Sequence, residues 1–127
     1  MNKVILKGNV GHTPEVYDFK DGGSIARFTL ATTERGFKTK DGKEIAERTT
    51  WHTVIVRRPG LVTLVGKYVE KGDPVLIIGK YESRKYTNKD GVEKEVYEVN
   101  ADEIELCKKS GEKTYNDNDD LPPAFNL

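Results

Sequence analysis

The stretch "RTTWHTVIVRRPGLVTLVGKYVEKGDPVLIIG", residues 48–79, changes its apolar period twice and so decides the fold. Its first part alternates apolar or β-branched residues with polar ones, which predicts a strand. From Pro59 onward the apolar residues recur three and four positions apart, which predicts a helix that ends at Gly72. Pro74 then begins a second apolar run, and we expect another strand with a bend or bulge at Gly79.

Alternating segments on both sides of this stretch complete the predicted architecture. Two strands precede it, at 3–10 and 24–33, and residues 12–23 between them are rich in turn residues and predict a loop. Polar residues around an Asp-Gly pair predict a long hairpin arm after the second strand, and a further hairpin leads to a last strand at 95–107. The order β-β-β-α-β-β indicates an all-β domain. It is the plan of a five-stranded OB-fold Greek-key barrel with one helix between strands 3 and 4.

The charge is distributed unevenly, although the chain of 127 residues is formally neutral. Residues 1–107 hold 18 basic and 17 acidic side chains, whereas 117–127 hold three aspartates and no base. We therefore expect one OB domain at 1–107, followed at 108–127 by a short linker and a disordered acidic tail. No apolar run is long enough to cross a bilayer and Cys107 has no partner for a disulfide, so we expect a cytoplasmic protein.

The residue types that carry catalysis are sparse. The two histidines, His12 and His52, and the single thiol, Cys107, show no metal-ligand spacing. No glycine-rich phosphate loop is present. We expect no enzymatic activity, no cofactor and no bound metal.

Three segments place an aromatic ring beside a cation on an outer strand face or an exposed arm. They contain Trp51 with Arg57, Phe37 with Lys38, and Tyr86 with Arg84 and Lys85. Single-stranded nucleic acids are held by such a combination, because phosphates follow cations and bases stack on rings. Phe28, Tyr68 and Tyr81 fall at core positions of their periods and are predicted to pack inside, whereas Ile55 on the outer face is predicted to need cover.

The motifs "NKVILKGNVGHTPEV", "ARFTLATTE", "TTWHTVIV" and "YVEKGDPVLIIGKYESRKYTNKDG" resemble the bacterial single-stranded DNA-binding protein family. The resemblance covers nearly the whole predicted domain. It implies a sequence-tolerant binder of single-stranded DNA that works as a homotetramer in replication, recombination and repair. Two other functions remain open from the residues alone: an RNA-binding OB module, and an OB adaptor that binds protein, as in a primosome.

The resemblance also implies roles for individual residues. Trp51, Phe37 and Tyr86 match positions that stack bases, and His52 matches a contact between subunits. The implied phosphate path contains Arg84, Lys85, Lys3 and Lys71. Arg57 takes the place of a phenylalanine common in the family, and a guanidinium can still lie flat on a base.

The acidic tail resembles the family's partner-docking tip. The implied docking residues are Asp119, Asp120, Leu121, Pro122, Pro123 and Phe125. Relatives usually end in Pro-Phe, whereas here Ala124 separates Pro123 from Phe125 and two more residues follow. We expect the tail either to enter the basic groove or to dock replication and repair proteins; a tail that only adds solubility is the alternative.

Overall fold

A computed structural model describes residues 1–108, which form a barrel of strands with one helix. The elements are β1 (Val4–Val10), β2 (Glu15–Asp18), β3 (Ser24–Glu34), β4 (Phe37–Lys38), β5 (Glu44–Ile45), β6 (Arg48–Val56), α1 (Pro59–Tyr68), β7 (Pro74–Thr87) and β8 (Glu93–Leu106). The main sheet has the order β1-β7-β8-β6-β3-β2, and an additional pairing of β1 with β3 closes five of its strands into a barrel. The predicted OB-fold, with its helix between the third and fourth barrel strands, is confirmed.

Two glycines let the barrel strands approach closely. A Cβ atom on Gly8 would overlap the carbonyl oxygen of Ala31, at the place where β1 meets β3. At Gly79 a Cβ atom would overlap the backbone of Asn100, and the register of β7 with β8 shifts between Ile78 and Gly79. The bulge predicted at Gly79 is therefore present, and it bends β7 where the strand must turn around the barrel.

The core lies inside the barrel and is covered at one end by α1. Its largest fully buried side chains are Phe28, Leu30, Val54, Val56, Val65, Val75 and Ile77. The helix begins with Pro59, whose missing N–H costs nothing in the first turn, and it contributes Val62 and Val65 to the core. Phe28 is buried as predicted, because the apolar alternation of β3 points inward along the whole barrel wall.

The helix ends four residues earlier than its sequence pattern predicts. Val69 already has an extended backbone, with φ −98° and ψ 127°, and its side chain turns into the core. Tyr68 is therefore left 57% exposed, and the prediction that it packs inside is wrong. The turn that follows ends at Gly72, whose φ of 90° suits a residue without a Cβ atom.

Strand β2 was not expected, because its four residues lie between turn-forming residues in the predicted loop 12–23. It pairs antiparallel with β3 at the edge of the main sheet. The two predicted hairpin arms are present: β4 pairs with β5, and β7 continues with β8 far beyond the barrel. Each arm turns through a glycine with positive φ, Gly42 in the first and Gly91 in the second.

No helix within residues 1–108 is long and apolar enough to cross a membrane. The same residues contain no group of three or more histidine, cysteine or carboxylate side chains arranged to hold a metal ion. The predicted tail and its docking residues, from Asp119 to Phe125, lie outside the described residues.

Candidate nucleic-acid interface

The barrel wall formed by β3, β6 and β8 has an outer face that points away from the core. Phe28 lies opposite Val54 across β3 and β6, and both are buried. Residues one position away point the other way, so Trp51, which pairs with Ala31, lies on the outer face and is 62% exposed. The structure thus places Trp51 where a base could stack on it.

The indole of Trp51 lies directly on the backbone of Gly11, the residue that follows β1. A Cβ atom at Gly11 would come within 2.6 Å of Cζ3 of Trp51, which is closer than real contacts allow. The Gly11 backbone is itself fixed, because its N–H donates to the carbonyl of Thr29 at 2.8 Å. Gly11 thus contacts the indole at its Cζ3–Cε3 edge and forms the floor of the ring, while most of the residue remains exposed to solvent.

Small, uncharged side chains surround this ring on the outer face. Thr29 pairs with Thr53 beside it, and the hydroxyls of Thr33 and Thr49 lie 3.3 Å apart on the other side. These short side chains leave the indole raised above its neighbours. A planar base can therefore approach the ring without displacing charged groups.

Ile55, farther along the same face of β6, does not need cover from a second molecule. It is 4% exposed within the single chain and lies between its register partners Arg27 on β3 and Asn100 on β8. The expectation that Ile55 requires external cover is wrong, because neighbouring strands with longer side chains already cover it.

The β7–β8 arm carries two of the predicted residues on the outer face. Tyr86 pairs with Lys94 and is exposed, and Arg84 lies two residues closer to the barrel on the same face. The Arg84 guanidinium donates to both carboxylate oxygens of Glu98, from Nε to Oε1 and from Nη2 to Oε2, each at 3.2 Å. This contact orients Arg84 and raises its pKa, while leaving part of its five-donor fork free.

Lys85 points to the opposite face of this arm. It pairs with Glu95, and on that face the rings of Tyr81 and Tyr97 stack with centroids 5.9 Å apart and planes 6° apart. Tyr97 also donates its hydroxyl to Glu95 at 3.1 Å. Tyr81 is 51% exposed, so its predicted packing in the core is wrong, although its register partner Val99 is buried: beyond Gly79, β7 no longer pairs with β1.

Both arms project from the end of the barrel at which Trp51 lies. The β4–β5 arm leaves β3 and β6 where Glu34 pairs with Arg48, and it carries the exposed Phe37 and Lys38. Strand β8 runs parallel to β6, with Val54 opposite Val99, so the β7–β8 arm extends past the same end. The stacking residues predicted on three segments therefore share one end of the molecule.

Lys71 belongs to this end as well, whereas Arg57 lies farther along the outer face. Gly72, next to Lys71, donates to the carbonyl of Val10, the residue before the floor of Trp51. Lys3 is exposed before the start of β1, and its neighbour Asn2 is hydrogen-bonded to Tyr81 at the base of the β7–β8 arm. Arg57 follows β6 six residues after Trp51, which is about 20 Å along an extended strand.

A model of the single-strand binding protein family matches residues 1–107. The chain belongs to this family. Three relatives carry the name single-stranded DNA-binding protein, and their aligned regions cover 78% to 90% of this chain. The protein of Bacteroides thetaiotaomicron is 40% identical over 114 residues, that of Neisseria meningitidis 38% over 106, and that of Rickettsia typhi 43% over 99.

The matched regions span 70% of the Bacteroides protein but 59% and 64% of the Neisseria and Rickettsia proteins, so this chain aligns with only part of each relative. A solved structure described as "Plasmodium falciparum SSB complex with ssDNA" superposes with a TM-score of 0.75 at 28% identity. The superposition covers 85% of this chain and 96% of that one. The fold similarity thus extends to a single-strand binding protein solved with DNA.

His52, for which the resemblance to the single-strand binding protein family implies a subunit contact, lies on the inner side of β6. Its Nε2 is 2.9 Å from the hydroxyl of Thr32, and burial lowers its pKa. The ring is half-buried within one chain, so part of its surface remains available at the end of the barrel. Its role between subunits stays a prediction.

Two residues of the outer face are not among those predicted from the sequence. Arg27 lies on β3 opposite Ile55, and Tyr17 lies on β2 opposite Ile25, which is on the same face. Arg27 stands between two buried residues of a predicted strand, so alternation alone could have placed it. Tyr17 could not have been placed, because β2 was not recognised as a strand.

Proposed function

We propose that this member of the single-strand binding protein family binds single-stranded DNA with little sequence preference and has no catalytic role. The observation that carries the proposal is the indole of Trp51, which is held on Gly11 and open to solvent on a threonine-rich outer face. Stacking on such a ring tolerates any base, because every base offers a flat π-face. Relatives named single-stranded DNA-binding protein and the similarity to a structure with DNA support the same function.

Substitution of Trp51 by alanine tests this function. We expect Trp51→Ala to weaken binding of a labelled oligo(dT) by about 1–3 kcal/mol, the effect of losing one stacked base. Tyr97→Ala is the matched control, because it removes an exposed ring from the opposite face. Anisotropy titrations give the affinities, and circular dichroism melts verify that both variants fold. Equal losses in the two variants, or none in either, would contradict a site on the outer face.

The biological role within the proposal is to coat DNA strands exposed during replication, recombination and repair, in the cytoplasm. Titrations with matched oligo(dT) and oligo(rU) distinguish this role from RNA binding, since a dedicated RNA site would profit from the 2′-hydroxyl. We expect DNA to bind at least as tightly as RNA.

Self-association into a homotetramer is also part of the proposal, and the surface around β1 supports it. Strand β1 pairs with β3 only through Asn9 and Val10, so its edge from 4 to 7 has no second strand among the residues that the structure describes. Ile5 is exposed beside this edge, with the half-buried Ile78 opposite it on β7. An unpaired edge next to apolar side chains favours pairing with another copy. Equilibrium sedimentation that finds only monomers at micromolar concentration would refute the assembly.

Recruitment of partner proteins is assigned to the acidic segment at 117–127, on the basis of its sequence. Three aspartates followed by Pro122, Pro123 and Phe125 suit a basic pocket with an apolar base. Deletion of 117–127 should keep or slightly strengthen DNA binding, because it removes three negative charges, and should abolish capture of replication and repair proteins. Unchanged capture would exclude the segment as the docking site.

A further inference from the structure

The outer face continues well beyond Trp51, toward the opposite end of β3 and β6. Register places Thr29 and Thr53 next to the ring, then Arg27 opposite Ile55. Strand β2 widens the sheet here, and its Tyr17, 49% exposed, lies on the same face beside Ile25. Arg57 follows β6 at this end, and continued strand alternation from Ile55 puts it on the same face. The far end of the face therefore combines one aromatic ring with two arginines.

These two arginines differ from their neighbours in having no acidic partner within the described chain. Arg58 forms an ion pair with Asp102 at 3.3 Å, and Arg84 forms one with Glu98 at 3.2 Å. Within residues 1–108, neither Arg27 nor Arg57 has a carboxylate oxygen within 4.0 Å. Their positive charges are thus available to an anion from solution.

The carboxylate closest to Arg27 in register is engaged by Tyr17 instead. Glu15 lies opposite Arg27 on β2, but its Oε1 accepts the hydroxyl hydrogen of Tyr17 at 3.0 Å. This hydrogen bond holds the tyrosine ring in place, and within the described residues Glu15 forms no ion pair with Arg27. The local arrangement presents a fixed ring next to an unpaired guanidinium, which is the combination that single-stranded DNA requires.

The distance between the rings of Trp51 and Tyr17 suits a short run of nucleotides. Trp51 is level with Ala31 and Tyr17 is level with Ile25, six residues apart along β3, which is about 20 Å in a strand. Strands β2 and β6 flank β3, which adds about 10 Å across the sheet. The two rings are therefore about 22 Å apart, with Arg27 between them.

We propose that Tyr17 and Arg27, assisted by Arg57, form a second nucleotide subsite, so that one strand of DNA runs from Trp51 across β3 to β2. The subsite stacks a base on Tyr17 and holds the adjacent phosphates through the two arginines. It rests on the proposed single-strand binding function, which Trp51 tests independently.

Affinity measurements test the subsite with an oligo(dT) of about 16 nucleotides, the upper end of the range for one OB-fold. Tyr17→Ala should weaken binding about 5- to 150-fold, the equivalent of one stacked base. Arg27→Gln should make the slope of log affinity against log salt less steep by about 0.7. Tyr68→Ala, which removes a similarly exposed tyrosine from α1, is the control and should bind like the unmodified protein.

A fluorescence experiment gives a direct readout of stacking, because the chain has one tryptophan. In a Trp51→Phe background, Tyr17→Trp should show quenching when oligo(dT) binds, and Tyr68→Trp should not. If Trp51→Ala loses affinity while Tyr17→Ala and Arg27→Gln bind like the unmodified protein, the subsite is wrong and the proposed function stands. If the unmodified protein fails to bind oligo(dT), both are wrong.

Discussion

Trp51 and Tyr97 are both exposed rings on long strands of the same sheet, yet we propose a base-stacking role for only one of them. The Trp51 ring lies on a glycine and has small neutral neighbours on the outer face. One side of the Tyr97 ring is already covered by Tyr81, whose ring is parallel to it with centroids 5.9 Å apart. Exposure alone therefore does not identify a stacking platform; the ring must also have an open face.

The cations on the two faces differ in the same way. On the outer face, Glu98 binds Arg84 with both oxygens and is only 8% exposed. Its carboxylate is therefore buried beneath the guanidinium that it orients. On the opposite face, Lys85 and Glu95 are register partners and both are exposed. At Arg84 the outer face presents a guanidinium above a buried carboxylate, whereas at Lys85 the opposite face presents a cation and an exposed carboxylate together.

The largest effect is expected from a substitution of Gly11, the floor of Trp51. In Gly11→Ala the new Cβ atom would lie 2.5 Å from Oγ1 of Thr29 and 2.6 Å from Cζ3 of Trp51, so both side chains must move. We expect oligo(dT) affinity to fall by up to about 1–3 kcal/mol, the full value of the stacked base. A shift in the emission of the sole tryptophan should accompany the loss.

Gly66→Ala provides the control for this substitution. Its Cβ atom would meet only Cγ2 of Val16 at 3.5 Å, an ordinary contact, and alanine favours the helix by about 1 kcal/mol over glycine. This variant should be more stable and bind DNA unchanged. Equal affinities for Gly11→Ala and the unmodified protein would show that the position of the ring does not matter.

A second prediction tests the difference between the buried carboxylate of Glu98 and the exposed carboxylate of Glu95. Glu98→Gln removes the charge that Arg84 compensates while keeping the size of the side chain. We expect tighter binding at low salt and a slope against log salt that is steeper by about 0.7, as for one additional phosphate contact. Glu95→Gln, on the opposite face, should leave the slope unchanged. If both variants change binding equally, DNA does not distinguish the faces.

The smallest effect concerns His52, which is next to Trp51 in the chain but on the inner side of β6. Burial lowers its pKa in the folded state, so the unfolded chain takes up a proton first as the pH falls below about 6.5. The free energy of unfolding should therefore decrease from pH 7.5 to 5.5. His52→Gln should reduce this decrease, and His12→Gln should not. Urea unfolding at the two pH values measures the difference, and identical pH dependence in all three proteins would refute it.

The sequence predicts which face a strand residue occupies better than it predicts where the core ends. Alternation places Trp51 outside and Phe28 inside, and the glycine at 79 marks the bulge. The same alternation fails for Tyr81, because the period of two continues along β7 after the strand has left the barrel. The pairing of Arg84 with Glu98 was equally inaccessible, since it depends on the register of two strands joined through a distant turn.

The contact of Asn2 with Tyr81 has a consequence for synthesis of the chain. The side-chain amide of Asn2 exchanges hydrogen bonds with the N–H and the carbonyl of Tyr81, at 3.0 and 2.7 Å, across 79 residues of sequence. On a ribosome that adds about 5–20 residues per second, the first strand waits roughly 4–16 s for this partner. During that interval the apolar side chains of β1 have no β7 strand to pack beside. We therefore expect that aggregation of nascent chains begins at β1.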